Sequence, residues 1–163
     1  MIVVSNATPL INFASIEEID LLGRIYERIV IPEAVYYEVY IASARRPEID
    51  IETTRVRSWI ETQQLADNIL ATALTADLGL GEAQAIALAT EVNADLLLLD
   101  ERKARRIATR LELRFTGTLG ILIEAKRREV IPEIKPLLDG IINRAGFWIT
   151  QQQYLRALSE VGE

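Results

Sequence analysis

The chain has 163 residues, half of them hydrophobic and 26% charged, with a formal net charge of −6. This is the profile of one soluble globular domain with a sizeable core, and the acidic balance argues against a protein that coats DNA along its whole surface. It contains no Cys and no His, which excludes disulfides, thiolate nucleophiles, cysteine zinc sites, a Ser-His-Asp triad and any His-ligated metal.

Ile2 to Ser5 is short and apolar and reads as a first buried strand. Pro9 suits the first turn of a helix that continues through Leu10, Ile11, Phe13 and Ala14. Ser15, Glu17 and Glu18 look like the start of a second helix through Ile25. Arg28 to Ile31 is β-branched and reads as a strand, and Pro32 begins a third helix through Ala42. Residues 44 to 57 are mixed, with Ile49, Ile51 and Val56 suggesting a short strand. Ser58 to Gln64 and Ala66 to Leu78 read as helical, as does Glu82 to Val92 after Gly79 and Gly81. Leu96 to Leu99 is another buried strand, followed by a basic helix over Glu101 to Arg110. Leu111 to Thr116 gives a last strand, and helices follow over Gly117 to Arg128, Pro132 to Asn143 and Thr150 to Leu158.

Short apolar strands separated by helices predict an α/β fold with a central, mainly parallel sheet and helices on both faces. Residues 1–145 form the domain in this reading, and 146–163 a helical tail that packs on it or on a partner. Trp148, Ile149, Tyr154 and Leu155 are apolar residues of the tail, suited to core packing or to a dimer surface. No segment is apolar for long enough to span a membrane and no basic leader opens the chain, so a cytoplasmic protein is expected.

In an open parallel sheet, ligands bind beyond the carboxyl ends of the strands, where strand order reverses. The first strand runs into Asn6, and Leu96 to Leu99 runs into Asp100. Each has a second reading, because Asn and Asp both cap helices well. Glu38 lies beside the apolar stripe of the third helix, where a solvated Glu is common. Glu82 opens an Ala-, Ile- and Leu-rich helix, where it also suits the helix dipole. Arg102, Lys103, Arg105, Arg106 and Arg110 form the densest basic run, either a solvated helix face or a phosphate-binding strip. Lys126, Arg127 and Arg128 are a weaker second cluster.

Four stretches together resemble the PIN-domain family. They are Val3 to Ile11, Ile31 to Val39, Gly79 to Ala89 and Leu97 to Ala108, with Thr116 to Leu122 as a fifth piece. The likeness runs from residue 2 to about residue 143 and is closest to a prokaryotic subgroup of predicted nucleic-acid-binding proteins. It implies a three-layer α/β/α fold and a Mg²⁺ or Mn²⁺ site built from Glu38, Glu82, Asp100 and the residue at position 6. Glu101 is then a further ligand or supporting group, and Thr8 and Thr118 are polar neighbours. Family members cleave RNA, many are VapC-like toxins held by a small antitoxin, and homodimers are common.

One departure concerns position 6, where the family usually has Asp and this chain has Asn6. An amide oxygen can bind a cation but brings no charge and cannot take a proton from water. The reading is therefore a metal-dependent ribonuclease whose activity Asn6 would weaken. The alternative is a catalytically inactive PIN-like module that binds nucleic acid or protein.

Overall fold

The apolar runs at the start, near residue 30 and near residue 97 lie side by side as the middle of one sheet. The computed structural model describes Met1–Glu163. Its strands are β1 (Val3–Ser5), β2 (Ile29–Pro32), β3 (Ile60–Gln63), β4 (Leu96–Leu98) and β5 (Phe115–Thr116). They form one parallel sheet in the order β3-β2-β1-β4-β5. Strands covered on both faces need no polar alternation, and Val3, Val4, Ile29, Ile31, Leu97 and Leu98 are accordingly inaccessible to solvent.

Ten helices surround the sheet. They are α1 (Ala7–Ser15), α2 (Asp20–Tyr26), α3 (Glu33–Arg45), α4 (Thr54–Arg57) and α5 (Ile69–Leu74), then α6 (Leu80–Glu91), α7 (Arg102–Arg110), α8 (Thr118–Arg127), α9 (Lys135–Ala145) and α10 (Gln151–Glu160). The result is a three-layer α/β/α fold. Helix α6 packs on β1, β2 and β4 and also against α3 and α7. Its small side chains Ala83, Ala85 and Ala89 are buried there, so its backbone can approach the sheet closely.

Ser58 to Gln64, expected to be helical, instead contains β3 at the sheet edge, in register with β2 from Ile29↔Ile60 to Pro32↔Gln63. An edge strand has one ladder and a solvated side, so Glu61 and Thr62 are exposed, and the segment lacks the apolar run that marks an inner strand. The strand expected around Ile49, Ile51 and Val56 is absent. Pro47–Ile49 makes a single 3-10 turn and Val56 sits in α4. All three side chains are buried, anchoring the segment without joining the sheet. The helix expected over Ala66 to Leu78 shortens to α5. The second helix begins at Asp20 because Ser15 ends α1 and Glu17 turns the chain with φ 60°.

The last helix packs on the domain. Ala157 and Leu158 join the core, Tyr154 donates a hydrogen bond to Asp139, and the amides of Ile134 and Lys135 donate to Glu163. Thr150 and Gln153 close a capping box at its start. Trp148, by contrast, is 78% exposed and takes no part in the core. No helix is long and apolar enough to cross a membrane.

Candidate functional site

The chain builds outward from β1 to β2 and β3, then returns to the other side of β1 as β4. Strand order therefore reverses between β1 and β4, and the crevice at their carboxyl ends is where an α/β sheet binds ligands. Register pairs Ser5 with Leu98, and the Asn6 amide donates to the Leu98 carbonyl. The next residues on each strand, Asn6 and the Asp100-Glu101 pair, thus flank that crevice.

Asn6 occupies the position that caps α1 but makes no side-chain capping bond. Its Nδ2 donates to Glu101 Oε2 at 3.1 Å, and the Thr8 hydroxyl donates to Glu101 Oε1 at 2.5 Å. Asn6 is 2% exposed and its Oδ1 is buried without a partner. A buried amide oxygen left unpaired costs about 1–3 kcal/mol, a cost that a ligand on this atom would remove.

Two more carboxylates come from the helices above the crevice. Glu38, on α3, is exposed as a residue, yet its carboxylate lies so close to Gly81 that a Cβ there would collide with it. Burial pushes the Glu38 carboxyl up, the charges of Glu82 and Glu101 push it further, and the Gly81 amide opposes them. Glu82, in the first turn of α6, is raised by burial and by Glu101, while the Gly79 amide and Lys103 pull it down. Glu38, Glu82 and Glu101 therefore share one electrostatic neighbourhood with the Asn6 amide below them. No three of the acidic groups converge closely enough to grip an ion as they lie.

Asp100 has a different setting. Its Oδ1 accepts the Thr118 amide at 2.8 Å and its Oδ2 accepts the Thr118 hydroxyl at 2.7 Å. Asp100 thereby satisfies an orphan donor at the start of α8, where a negative charge also suits the helix dipole. Burial pushes its carboxyl up against the pull of those two bonds. The Arg105 guanidinium stands 3.8 Å from Oδ1, and Gly117 leaves the gap that Asp100 and Arg105 fill. Behind Thr118, fully buried Asn12 donates to the same hydroxyl at 3.0 Å. Sequence reasoning passed over Asn12; its one signal was an amide between Ile11 and Phe13 in an otherwise apolar helix.

The basic run divides into two kinds. Arg105 donates through Nε to the Leu99 carbonyl at 2.8 Å and stacks over Phe115, so it clips α7 to the sheet edge. Lys103 is 3.8 Å from Asp77. Arg102 and Arg106 are exposed and form no ion pair. Lys126, Arg127 and Arg128 pair with Glu163, Glu160 and Glu124 respectively.

A family model described as a PIN domain matches residues 2–163, running without a break through α10. Comparison with curated proteins and with solved structures gave no match. The family match spans nearly the whole chain and agrees with the parallel α/β/α architecture: the chain belongs to the PIN-domain family.

Proposed function

We propose that this PIN domain is a divalent-metal-dependent endoribonuclease whose ion would be held by Glu38, Glu82 and Glu101 once their side chains rotate together onto it, with Asn6 Oδ1 as a neutral ligand. The observation that carries this reading is the buried, unpartnered Asn6 Oδ1 beside a carboxylate that Asn6 and Thr8 already orient. The donor set is all oxygen, which suits a hard ion such as Mg²⁺ or Mn²⁺. The mutual repulsion of Glu38, Glu82 and Glu101 is what a cation relieves. Such an ion would lower the pKa of an attacking water and offset phosphate charge. Glu38, loosest of the three by exposure, would hold that water and accept its proton. Arg102 and Arg106 would draw the RNA backbone to the rim. Asp100, fixed by Thr118, is here a positioning residue that sets the end of β4 and thus the aim of Glu101.

A second reading rests on the Asn6–Glu101 bond. The amide donates to a carboxylate oxygen that an aspartate at position 6 would leave free for metal. This copy is then weakened in its hold on the ion and, in the limit, only binds nucleic acid or protein. Under either reading the partners are RNA and, for a toxin-like role in the cytoplasm, a small antitoxin. Exposed Tyr37, Tyr40 and Ile41 on α3 offer such a partner, or a second copy in a homodimer, an apolar surface.

The test is cleavage of mixed structured and single-stranded RNAs with Mn²⁺, Mg²⁺ or EDTA, using the native protein, Glu101→Gln and Asn6→Asp. Metal-dependent cleavage lost in Glu101→Gln and increased in Asn6→Asp is the expected result. Silence of the native protein with activity in Asn6→Asp selects the weakened reading. Silence of both on every RNA ends the nuclease assignment.

A further inference from the structure

We propose that the groove between α7 and the segment 147–149 is a subsite for one nucleotide of a single-stranded RNA, with Trp148 as the stacking surface for its base and Arg102 as the contact for its phosphate. This rests on the nuclease reading of the acidic crevice next to it. The groove has a volume of about 560 Å³, and Asp100, Arg102, Arg105, Leu119 and Trp148 are among its lining residues. That volume falls within the range of roughly 300–1,000 Å³ typical of small-ligand pockets.

Trp148 is held out in the open by its surroundings. Its neighbours Phe147 and Ile149 are half-buried against the core and line the same groove, while Trp148 is 78% exposed. The segment is fixed at both ends. Gly146 ends α9 in the left-handed conformation with φ 68°, and the Thr150–Gln153 capping box starts α10. The indole is thus presented on a short tethered strap, and stacking a base on it orders little that is not already ordered.

The chemistry around it selects the occupant. A base offers a π-face to the indole, its phosphate offers charge to Arg102, and Arg102 has no intramolecular ion pair to give up. Stacking of bases on aromatic side chains beside a cationic track is how single strands are held. A duplex keeps its base faces covered, so it cannot use Trp148. Leu119, Phe147, Trp148 and Ile149 make the groove half apolar, while Arg102 and Arg105 give it positive charge; a nucleotide carries an apolar base and a charged phosphate in one ligand and matches that mixture. The groove and the acidic crevice meet at Asp100, which lines the first and neighbours Glu101 in the second. A strand with one base on Trp148 would therefore lead its backbone toward the carboxylates.

The experiment measures binding of a labelled single-stranded RNA octamer and of the matching duplex by fluorescence anisotropy, in EDTA and in Ca²⁺. Tryptophan emission is followed during the same titrations, with Trp148→Ala, which keeps Trp59, as the reference for the signal of Trp148. The proteins are native, Trp148→Ala, Trp148→Phe and Arg102→Gln. The expected result is quenching of Trp148 by the single strand and weaker binding in Trp148→Ala, by about 5- to 150-fold. Trp148→Phe should restore part of the affinity, Arg102→Gln should flatten the salt dependence, and duplex binding should not respond to Trp148. Equal single-strand affinity in the native protein and Trp148→Ala overturns the subsite. So does a native dimer that Trp148→Ala dissociates, which would assign the indole to a second copy. Binding and quenching without cleavage in Mn²⁺ would sink the nuclease reading and leave the subsite standing. Cleavage that is indifferent to Trp148 would do the reverse.

Discussion

Thr118 holds both carboxylate oxygens of Asp100, one through its amide at 2.8 Å and the other through its hydroxyl at 2.7 Å. The hydroxyl also accepts the amide of Asn12 at 3.0 Å, so one buried oxygen ties β4, α8 and α1 together. In Thr118→Val the shape is kept, but Asp100 Oδ2 and Asn12 Nδ2 lose their partner. Each unsatisfied buried group costs about 1–3 kcal/mol. For a chain of this size the melting temperature should fall by roughly 2–4 °C per kcal/mol. A thermal melt within a degree of the native protein would mean the triad contributes nothing to stability.

Asn6→Asp should act in opposite directions with and without metal. Without metal it places a carboxylate against Glu101, where the amide now donates, so the melting temperature should drop. With saturating Mn²⁺ the added charge should strengthen ion binding, and the metal-induced rise should exceed that of the native protein. Differential scanning fluorimetry across a Mn²⁺ series reads both. A metal response no larger than the native one would remove position 6 from the ion's surroundings.

Glu82 gives a pH prediction. Its carboxyl is raised above the ordinary carboxylate range by burial and by Glu101. The folded state therefore holds that proton more tightly than the unfolded chain. The associated stability is present at low pH and is lost as pH rises through the raised value. Metal-free Glu82→Gln should accordingly be more stable than the native protein at neutral pH, with the gain shrinking as pH falls through that raised value and gone below about pH 4, where carboxylates of the unfolded chain are protonated too. The comparison must be between proteins at each pH, because Asp139, held below the usual range by Lys135 and Tyr154, works in the other direction. A pH-independent difference would show that Glu82 does not titrate in the crowded setting described.

Gly81→Ala should leave the fold intact and impair the metal response. A Cβ at position 81 would collide with the Glu38 carboxylate, and the side chain has exposed space into which to swing. The metal-free melt should change little, while the Mn²⁺-induced rise should shrink toward that of Glu38→Gln. A full metal response in Gly81→Ala would detach Glu38 from the site.

The inner strands were legible because burial on both faces writes itself as unbroken apolar runs, as at Val3-Val4 and Leu96 to Leu99. The edge was not. The stretch containing β3 carries the polar residues of a solvated strand, and its pairing with β2 is a long-range fact that local periodicity does not encode. The same limit shaped the picture of the site. The spacing placed Asn6 and Asp100 at strand ends, but the hydrogen bonds of Asp100 to Thr118 at the start of α8 and of Asn6 to Glu101 are long-range contacts that spacing does not encode. Arg105 likewise looked like a phosphate contact and is bound to the Leu99 carbonyl, a partner invisible in a run of basic residues.

The neutrality of Asn6 has an effect beyond the hold on the ion. In the proposed site, three carboxylates around a dication would sum to a single negative charge, and a fourth would double it. RNA arrives as a chain of negative charges, and repulsion at a crevice with low-dielectric walls is felt more strongly than in open water. In the proposed site the amide at position 6 would thus trade grip on the metal for a gentler approach by the polyanion, setting the balance between holding an ion and admitting a strand.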